Sequence, residues 1–135
     1  MAGLTCGQDV SERVIQFASK PPHFDLGKSF DTYGPIGRCV VWLDQIPDPE
    51  NLAISCDVNG QRRQDARTDD MIFDVPTLIA YISAICTLEP GDLIFTGTPS
   101  GVGAASGTFL QPEDVVTTTI EGLGNMVNHC VSRGR

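Results

Sequence analysis

The clearest periodic pattern in this chain lies between residues 51 and 66. Apolar side chains occupy every second position at its start: Leu52, Ile54, Cys56 and Val58. Asn59-Gly60 follows, and this dipeptide is a strong signal for a two-residue hairpin turn because both residues tolerate positive φ. A polar segment then completes the stretch. We therefore predict a β-hairpin with one face exposed to water.

Further stretches have the β-branched and aromatic composition of strands, bounded by glycine, proline or aspartate. They are residues 36–43, 92–97, 114–122 and 125–132. A glycine-containing turn at residues 122–124 joins the last two. Together with the hairpin, these stretches predict roughly six strands.

One segment has the period of an amphipathic helix. Asp74 suits the N-cap, and Pro76 falls in the first turn, where a missing N–H does no harm. The apolar positions that follow share one face: Leu78, Ile79, Ile82, Ile85 and Cys86. The helix should end near Thr87, because Glu89-Pro90-Gly91 cannot continue it. One main helix among several strands predicts a mainly β or α+β fold.

Length and composition limit the class of protein. The 135 residues suffice for one domain, and we expect it to occupy residues 1–135. Apolar residues make up 41% and charged residues 19%, as in an average soluble protein, and no apolar run reaches the length of a membrane span. The formal charge of −8 and the scattered lysines and arginines argue against nucleic-acid binding. We expect neither a nucleic acid nor a membrane as partner.

The cysteines predict a reducing compartment. Their number is odd and they form no C-x-x-C pair: Cys6, Cys39, Cys56, Cys86 and Cys130. This pattern argues against a disulfide framework and against a zinc site, so we expect reduced and mostly buried thiols. The first residues show no basic region followed by an apolar core, which predicts that there is no secretory signal. We expect a cytoplasmic location, or a mitochondrial one in a eukaryote.

The segment GTPSGVG, residues 97–103, is a candidate anion site. Glycines allow positive φ, and successive exposed N–H groups can form a concave nest for a carboxylate, with the Thr98 hydroxyl beside it. No Gly-Lys-Ser/Thr follows, as Walker A requires, and no helix is predicted to follow, as a dinucleotide fingerprint requires. An ordinary turn between strands explains the glycines alone equally well.

Two further segments hold candidate polar residues. Lys28 lies in a stretch of little periodicity, residues 17–35, which we interpret as a loop or lid; by itself it is a solvated loop charge in most proteins. Asp9, Arg13 and Gln16 are spaced by four and three residues, which places them on one side of a helical turn if the segment is helical. By itself that spacing indicates an exposed ion pair.

Taken in order, the motifs resemble the fumarylacetoacetate hydrolase family. They are DVSER (9–13), GKSFDTYGP (27–35), TDDMIF (68–73), LEPGD (88–92) leading to TGTPSGVG (96–103), and IEGLG followed by Asn128 (120–128). The resemblance covers nearly the full length, and five ordered motifs make it highly specific.

The resemblance implies a mixed β-roll fold and a divalent cation, Mg²⁺, Mn²⁺ or Ca²⁺, bound by carboxylates. Family members hydrolyse C–C bonds in diketo acids, decarboxylate or tautomerise oxaloacetate-like acids, or isomerise related dienoic acids. The implied function is therefore that of a metal-dependent hydrolase or lyase, or of an isomerase, in the catabolism of small oxo-acids. Relatives are commonly homodimers, so we expect a homodimer with a small oxo-acid as substrate.

The resemblance also implies roles for single residues. Asp9 matches the metal-binding aspartate, and Lys28 matches a catalytic lysine that also binds substrate. Thr98 with Gly97 matches the place where a substrate carboxylate binds. Arg13 and Gln16 match substrate-binding residues of the same site. These roles are chemically consistent, because cleaving or enolising an oxo-acid develops negative charge on an oxygen that a cation and an ammonium group stabilise.

One departure from the family pattern is large. Members carry a Glu-x-Glu pair upstream of the aspartate that binds the metal with it, but only eight residues precede Asp9 here. We therefore expect an N-terminally truncated chain, the C-terminal portion of a family domain. Val14 also stands where an acidic residue often follows the arginine, and neither His23 nor His129 matches a water-activating base.

Two alternatives to a catalytic role follow. A non-catalytic remnant would keep the fold, and with it oxo-acid or subunit binding, without the metal ligands. A small β-domain that binds carbohydrate or protein would need an exposed aromatic platform. We expect Trp42, which lies in an apolar strand, to be buried, and this argues against the second alternative.

Overall fold

The computed structural model describes residues 1–132. Its main element is a four-stranded antiparallel sheet in the order β4-β3-β5-β6. The strands are β3 (Ala53–Val58), β4 (Gln61–Arg67), β5 (Val115–Ile120) and β6 (Gly124–His129). Two short strands, β1 (Gly3–Leu4) and β2 (Val41–Trp42), form a second antiparallel pair. The helices are α1 (Arg13–Gln16), α2 (Val75–Ser83) and α3 (Gly103–Ser106). The predicted fold, mostly sheet with one main helix, is confirmed.

The predicted hairpin is β3 and β4, joined at Asn59 and Gly60. Both residues have positive φ, 51° and 76°, as a turn that matches the twist of the strands requires. The ladder contains a β-bulge: Cys56 pairs with Gln64, whereas Asp57 pairs with Arg62. Arg63 is thus the extra residue, and the strand carries a local irregularity at this point.

The sheet has one buried face. Along β5, Val116, Thr118 and Ile120 are buried while Thr119 is exposed, which is the expected period of two. The buried apolar cluster combines sheet residues with residues from the segments that cover them: Cys6, Ile46, Leu52, Ile120 and Met126. The segment around Cys6 therefore covers this face of the sheet.

The main helix begins as predicted and ends earlier. The Asp74 side chain accepts a hydrogen bond from the Thr77 N–H at 2.8 Å, which is the expected N-cap. The helix ends at Ser83 instead of near Thr87. The N–H groups of residues 85 and 86 both donate to the Ile82 carbonyl, so the chain closes one more irregular turn and does not extend the regular ladder. Its apolar stripe is at most half-buried.

One predicted strand is shorter than expected, and another is not formed within residues 1–132. Of residues 36–43, only Val41–Trp42 are in a strand, with one further isolated bridge between Ile36 and Gly7. Residues 92–97 are not in a strand. Their apolar composition predicts extended backbone, but a strand needs a neighbour to share its hydrogen bonds, and within residues 1–132 none lies alongside.

Two predictions of burial are also wrong. All five cysteines are free thiols, yet only Cys6 and Cys56 are buried, whereas Cys39 and Cys86 are exposed and Cys130 is intermediate. Trp42 is 58% exposed, because the short β1–β2 pair leaves its outer face uncovered. The expected burial of Trp42 therefore no longer argues against a carbohydrate- or protein-binding domain.

The accessible surface is large for this mass. It measures 9540 Å² for a chain of 14.5 kDa. Folded monomers of that mass expose about 6,900 Å², roughly 2,600 Å² less. Large apolar side chains from several segments contribute to the difference, among them Trp42, Ile72, Phe73, Leu93 and Phe95. Within the part of the chain described, no helix combines the length and the apolar character needed to cross a bilayer.

Candidate functional site

Asp9 and Lys28 form an ion pair. Lys28 ends a short 3₁₀ turn, Leu26–Lys28, which the Asp25 carboxylate caps by accepting from the Leu26 N–H at 2.8 Å. From there the Lys28 ammonium donates to the Asp9 carboxylate. The Lys28 and Asp9 side chains are 32% and 41% exposed, so a small molecule can reach both. The structure thus brings together two of the residues that the resemblance assigns to the site.

Arg13 and Gln16 form a second pair within α1. Glu12 caps this helix by accepting from two backbone N–H groups. Arg13 Nη1 donates to Gln16 Oε1 at 2.5 Å. Gln16 is fully buried, and among residues 1–132 its Nε2 finds no hydrogen-bond partner. The predicted helical turn therefore exists for Arg13 and Gln16, while Asp9 lies before it.

The two pairs are packed against one another through Gly27. The Glu12 N–H donates to the Gly27 carbonyl at 2.7 Å. A Cβ on residue 27 would lie 2.9 Å from the Glu12 carbonyl oxygen and 3.0 Å from Gln16 Cβ, so only glycine fits between Lys28 and α1 without displacing a neighbour. The glycine of the GKSF motif thus fixes the Lys28 turn against the helix that carries Arg13 and Gln16.

The glycine-rich segment is attached to β4 at the bulge. The Gln64 side-chain amide donates from Nε2 to the Thr98 hydroxyl and to the Pro99 carbonyl, each at 2.8 Å. Gly101, at φ +106°, packs so closely on Arg63 that any Cβ there would overlap the Arg63 carbonyl. Gly97 also has positive φ, +120°. Thr98 itself stays exposed.

A row of polar side chains crosses the buried face of the sheet. Thr118 on β5 lies opposite Cys56 on β3, and Cys56 lies opposite Gln64 on β4. Residues directly opposite in a ladder share a face, so all three side chains point the same way. The Thr118 hydroxyl donates to Gln8 Oε1 at 2.8 Å at one end of the row, and Gln64 holds Thr98 at the other.

The middle of this row is neutral. Burial raises the pKa of the Cys56 thiol, and the charge of Asp57 raises it further, while a hydrogen bond with Thr118 acts in the opposite direction. A thiol of raised pKa stays protonated at neutral pH. Cys56 therefore adds no charge between the two ends of the row.

The row relates the Asp9–Lys28 pair to the Thr98 loop. Gln8 precedes Asp9, and the strands that carry Thr118 and Gln64 are two ladder spacings apart, about 10 Å. Residues 92–97 bridge this span, since the ring of Phe95 lies beside Gly7. Within residues 1–132, no hydrogen bond or ion pair joins Asp9 or Lys28 to Thr98.

Two separate cavities accompany these groups. One, of about 330 Å³, adjoins the Thr98 loop. It is lined by apolar side chains that include Ile54, Met71, Phe73 and Leu78, with Arg67 and Asp70. The other, of about 280 Å³, lies beside the Lys28 turn and is lined by Ile15, Leu26, Ser29 and Phe30. Convergence of Asp9, Lys28 and Thr98 on a single cleft stays a prediction.

The residues present do not fit a complete metal site. Among residues 1–132, no three His, Cys, Asp or Glu side chains are grouped closely enough to hold a metal ion. Asp9 could supply one ligand, but the Lys28 ammonium already contacts that carboxylate. Mg²⁺ requires a nearly octahedral shell of oxygens, which Asp9 alone does not provide.

Sequence patterns did not single out Gln64, Gln8 or Thr118. Thr118 lay in a predicted strand with the right period, so its inward position could have marked it as a buried polar residue. Gln64 could not have been found in this way. A regular two-residue hairpin at Asn59-Gly60 places Arg63 opposite Cys56, and the bulge shifts Gln64 into that position.

Comparison with known proteins identifies a family for this chain. The family model described as Fumarylacetoacetate (FAA) hydrolase C-terminal matches residues 1–131. A mitochondrial oxaloacetate tautomerase of Bos taurus is 43% identical over 133 residues, which cover 97% of this chain and 42% of that protein. The chain spans about half the length of the curated relatives it matches.

Solved structures give the same result. A 2-hydroxyhepta-2,4-diene-1,7-dioate isomerase from Mycobacterium marinum is 41% identical with a TM-score of 0.87, over 99% of this chain and 49% of that chain. A fumarylpyruvate hydrolase from Pseudomonas aeruginosa, in complex with Mn²⁺ and pyruvate, is 32% identical with a TM-score of 0.87, over 97% and 55%. By sequence and by fold, this chain belongs to the fumarylacetoacetate hydrolase family.

Proposed function

We propose that this chain forms the carboxylate-binding and enolate-stabilising part of an enzyme that acts on a small oxo-acid. The reaction we favour is the interconversion of keto and enol forms of a 2-oxo dicarboxylic acid such as oxaloacetate. A relative of 43% identity is named an oxaloacetate tautomerase, and a solved relative is named a dienedioate isomerase. Hydrolytic cleavage of a C–C bond would use the same enolate stabilisation.

The observation that carries this proposal is the shared face of the sheet. Gln8, the neighbour of Asp9, contacts this face at Thr118, and the Thr98 loop contacts it at Gln64. The strands that carry Thr118 and Gln64 are about 10 Å apart, a span of the order of a small dicarboxylic acid with its side-chain contacts. Both ends are accessible. One end offers an ammonium group, and the other offers a hydroxyl with a glycine-rich backbone.

Each end has a distinct chemical task. When a solvent water takes the proton from the carbon beside a ketone, the C–H electron pair forms an enolate, and a fixed ammonium group stabilises the negative charge on its oxygen; protonation of that oxygen then gives the enol. Lys28 supplies that group, and Asp9 holds it in place. Thr98 and the adjacent backbone hold the far carboxylate and so orient the bond that reacts. Arg13 and Gln16 border the Lys28 end.

For a divalent cation, we propose a single protein ligand in this chain. The Pseudomonas aeruginosa relative is described in complex with Mn²⁺ and pyruvate. Here Asp9 is the residue that would contribute to such a site, and residues 1–132 contain no group of three His, Cys, Asp or Glu side chains that would complete it. The roles of Lys28 and Thr98 given above are independent of the ion. Homodimerisation and a cytoplasmic or mitochondrial location also stay predictions.

A second candidate function is favoured by the lack of a complete group of metal-binding carboxylates among residues 1–132. This candidate is a non-catalytic family member that binds an oxo-acid without turning it over. Both candidates predict binding of pyruvate. Only the first predicts turnover.

The distinguishing experiment measures enol–keto interconversion of oxaloacetate by ultraviolet absorbance, with Mg²⁺ or Mn²⁺ present. For the enzyme we expect Lys28→Met to lower kcat at least about 100-fold, the usual cost of removing one stabilising donor. Lys20→Met is the matched control, since Lys20 is an exposed lysine of the same loop, and it should leave the rate unchanged. Pyruvate binding without any turnover would reject the enzymatic function and support the non-catalytic binding protein.

A further inference from the structure

The hydrogen bonds around Gln64 define the direction of the Thr98 hydroxyl. The Pro99 carbonyl oxygen can only accept, so the side-chain atom of Gln64 that faces it at 2.8 Å must be the amide nitrogen. That nitrogen carries two hydrogens. One is directed at Pro99, and the other is directed at Thr98 Oγ1, also at 2.8 Å.

The Thr98 oxygen therefore accepts in this bond, and its own hydrogen is left to donate elsewhere. Within residues 1–132 that hydroxyl makes no other hydrogen bond, and Thr98 is exposed at the edge of the 330 Å³ cavity. Gln64 is only 9% exposed, so water does not compete freely for its amide. A buried amide of this kind holds its partner more firmly than an exposed one does.

We propose that Gln64 is a positioning residue that turns the Thr98 O–H toward the ligand, so that this end of the site favours a carboxylate, a charged and therefore stronger acceptor, over the carbonyl oxygen of a neutral amide. The inference rests on the proposed function, because it specifies which group of the oxo-acid the loop receives. Gln64 does not touch the ligand. It acts through Thr98 and through the loop that Pro99 anchors.

Gln64→Glu reverses the polarity of this contact with almost no change in size. A carboxylate at residue 64 accepts the Thr98 hydrogen, so the Thr98 oxygen then presents lone pairs to the ligand. We expect the preference for pyruvate over pyruvamide, measured as a ratio of dissociation constants by ligand-observed NMR titration, to fall at least about tenfold. That factor corresponds to the loss of one hydrogen bond to a charged group.

Gln61→Glu is the matched control. It makes the same change of charge on the same strand, at an exposed position away from the loop, and it should keep the wild-type ratio. A double-mutant cycle of Gln64→Met with Thr98→Val gives a second test that adds no charge. If Gln64 acts through Thr98, the methionine substitution lowers the ratio in the wild-type background and has no further effect once the hydroxyl is removed.

The outcomes separate this inference from the proposed function. A wild-type ratio in Gln64→Glu, or additive effects in the cycle, overturns the role of Gln64 while leaving oxo-acid binding intact. Absence of pyruvate binding by the wild-type chain overturns the proposed function and this inference together. A loss of preference in Gln64→Glu that Gln61→Glu does not share supports the positioning role.

Discussion

Replacing Gly101 with alanine tests how the glycine-rich loop is attached to the sheet. A Cβ at this position would overlap the Arg63 carbonyl oxygen and lie 3.0 Å from the carbonyl carbon and 3.1 Å from Gln64 Cγ. The obstacle is strand backbone at a bulge, which cannot rotate away as a side chain can. The loop must therefore lift from β4. A shift of about 0.5 Å already takes the two Gln64 bonds from 2.8 Å beyond the usual range for hydrogen bonds.

Two contributions make up the expected loss of stability. Holding a non-glycine residue at φ +106° costs about 1–3 kcal/mol. Losing two hydrogen bonds to Gln64 costs about 1–3 kcal/mol more. Gly91→Ala isolates the first contribution, because Gly91 has nearly the same φ, +103°, and nothing lies within 4 Å of an added Cβ. We expect a loss of about 1–3 kcal/mol for Gly91→Ala and about 2–6 kcal/mol for Gly101→Ala.

Urea denaturation followed by far-ultraviolet circular dichroism measures both values by linear extrapolation. Pyruvate affinity provides the second measurement: it should fall in Gly101→Ala and stay at the wild-type level in Gly91→Ala. Equal losses of stability in the two variants would show that the Arg63 carbonyl does not obstruct the loop. The proposed attachment at the bulge would then be wrong.

Two further predictions concern ionisable groups. The Ala53 N–H donates to Glu121 at 2.9 Å, and with Arg67 it holds the pKa of that carboxyl below its ordinary value of 4.5. Because the folded-state pKa is the lower one, the contribution of this carboxylate to stability is complete above about pH 4.5 and is lost as the pH falls through the folded-state pKa. The free energy of unfolding, measured by urea denaturation from pH 7 to 3, should therefore depend less on pH in Glu121→Gln than in the wild type, whereas the control Glu50→Gln should keep the wild-type dependence. The same pH dependence in both variants would contradict the assignment. For the cysteines, a thiol reagent under native conditions should label the two exposed thiols first, and the two buried thiols only as the protein unfolds, since burial raises the pKa of both buried groups. Mass spectrometry of partly labelled protein identifies the sites, and early labelling of Cys6 or Cys56 would count against the observed packing.

Local chemistry made parts of the fold predictable from the sequence. Asn59-Gly60 specifies its hairpin because few other dipeptides adopt positive φ at two successive positions. Asp74 specifies the start of α2 because its side chain satisfies a free N–H of the first turn. Both signals lie within a few residues of the structure that they determine. Neither depends on the rest of the chain.

Features that depend on distant partners were not predictable in the same way. Residues 92–97 have the composition of a strand, but composition does not supply a hydrogen-bonding neighbour. The role of Gln64 was hidden because a bulge at Arg63 changes which residue of β4 faces inward. For Asp9 and Lys28, the ion pair agrees with the family resemblance, whereas their spacing of nineteen residues carries no such information.

The polar row from Gln8 to Thr98 also has a consequence for the size of ligand that the site accepts. Spacing between hydrogen-bonded strands is nearly the same in all sheets, so the interval between Thr118 and Gln64, on which the two ends rest, is set by the sheet. Under the proposed function, a compound with one extra carbon between its ketone and its carboxylate should therefore bind more weakly. If the proposed function holds, changes of substrate on this scaffold should alter the groups attached to the two ends of the row and leave the strands beneath them unchanged.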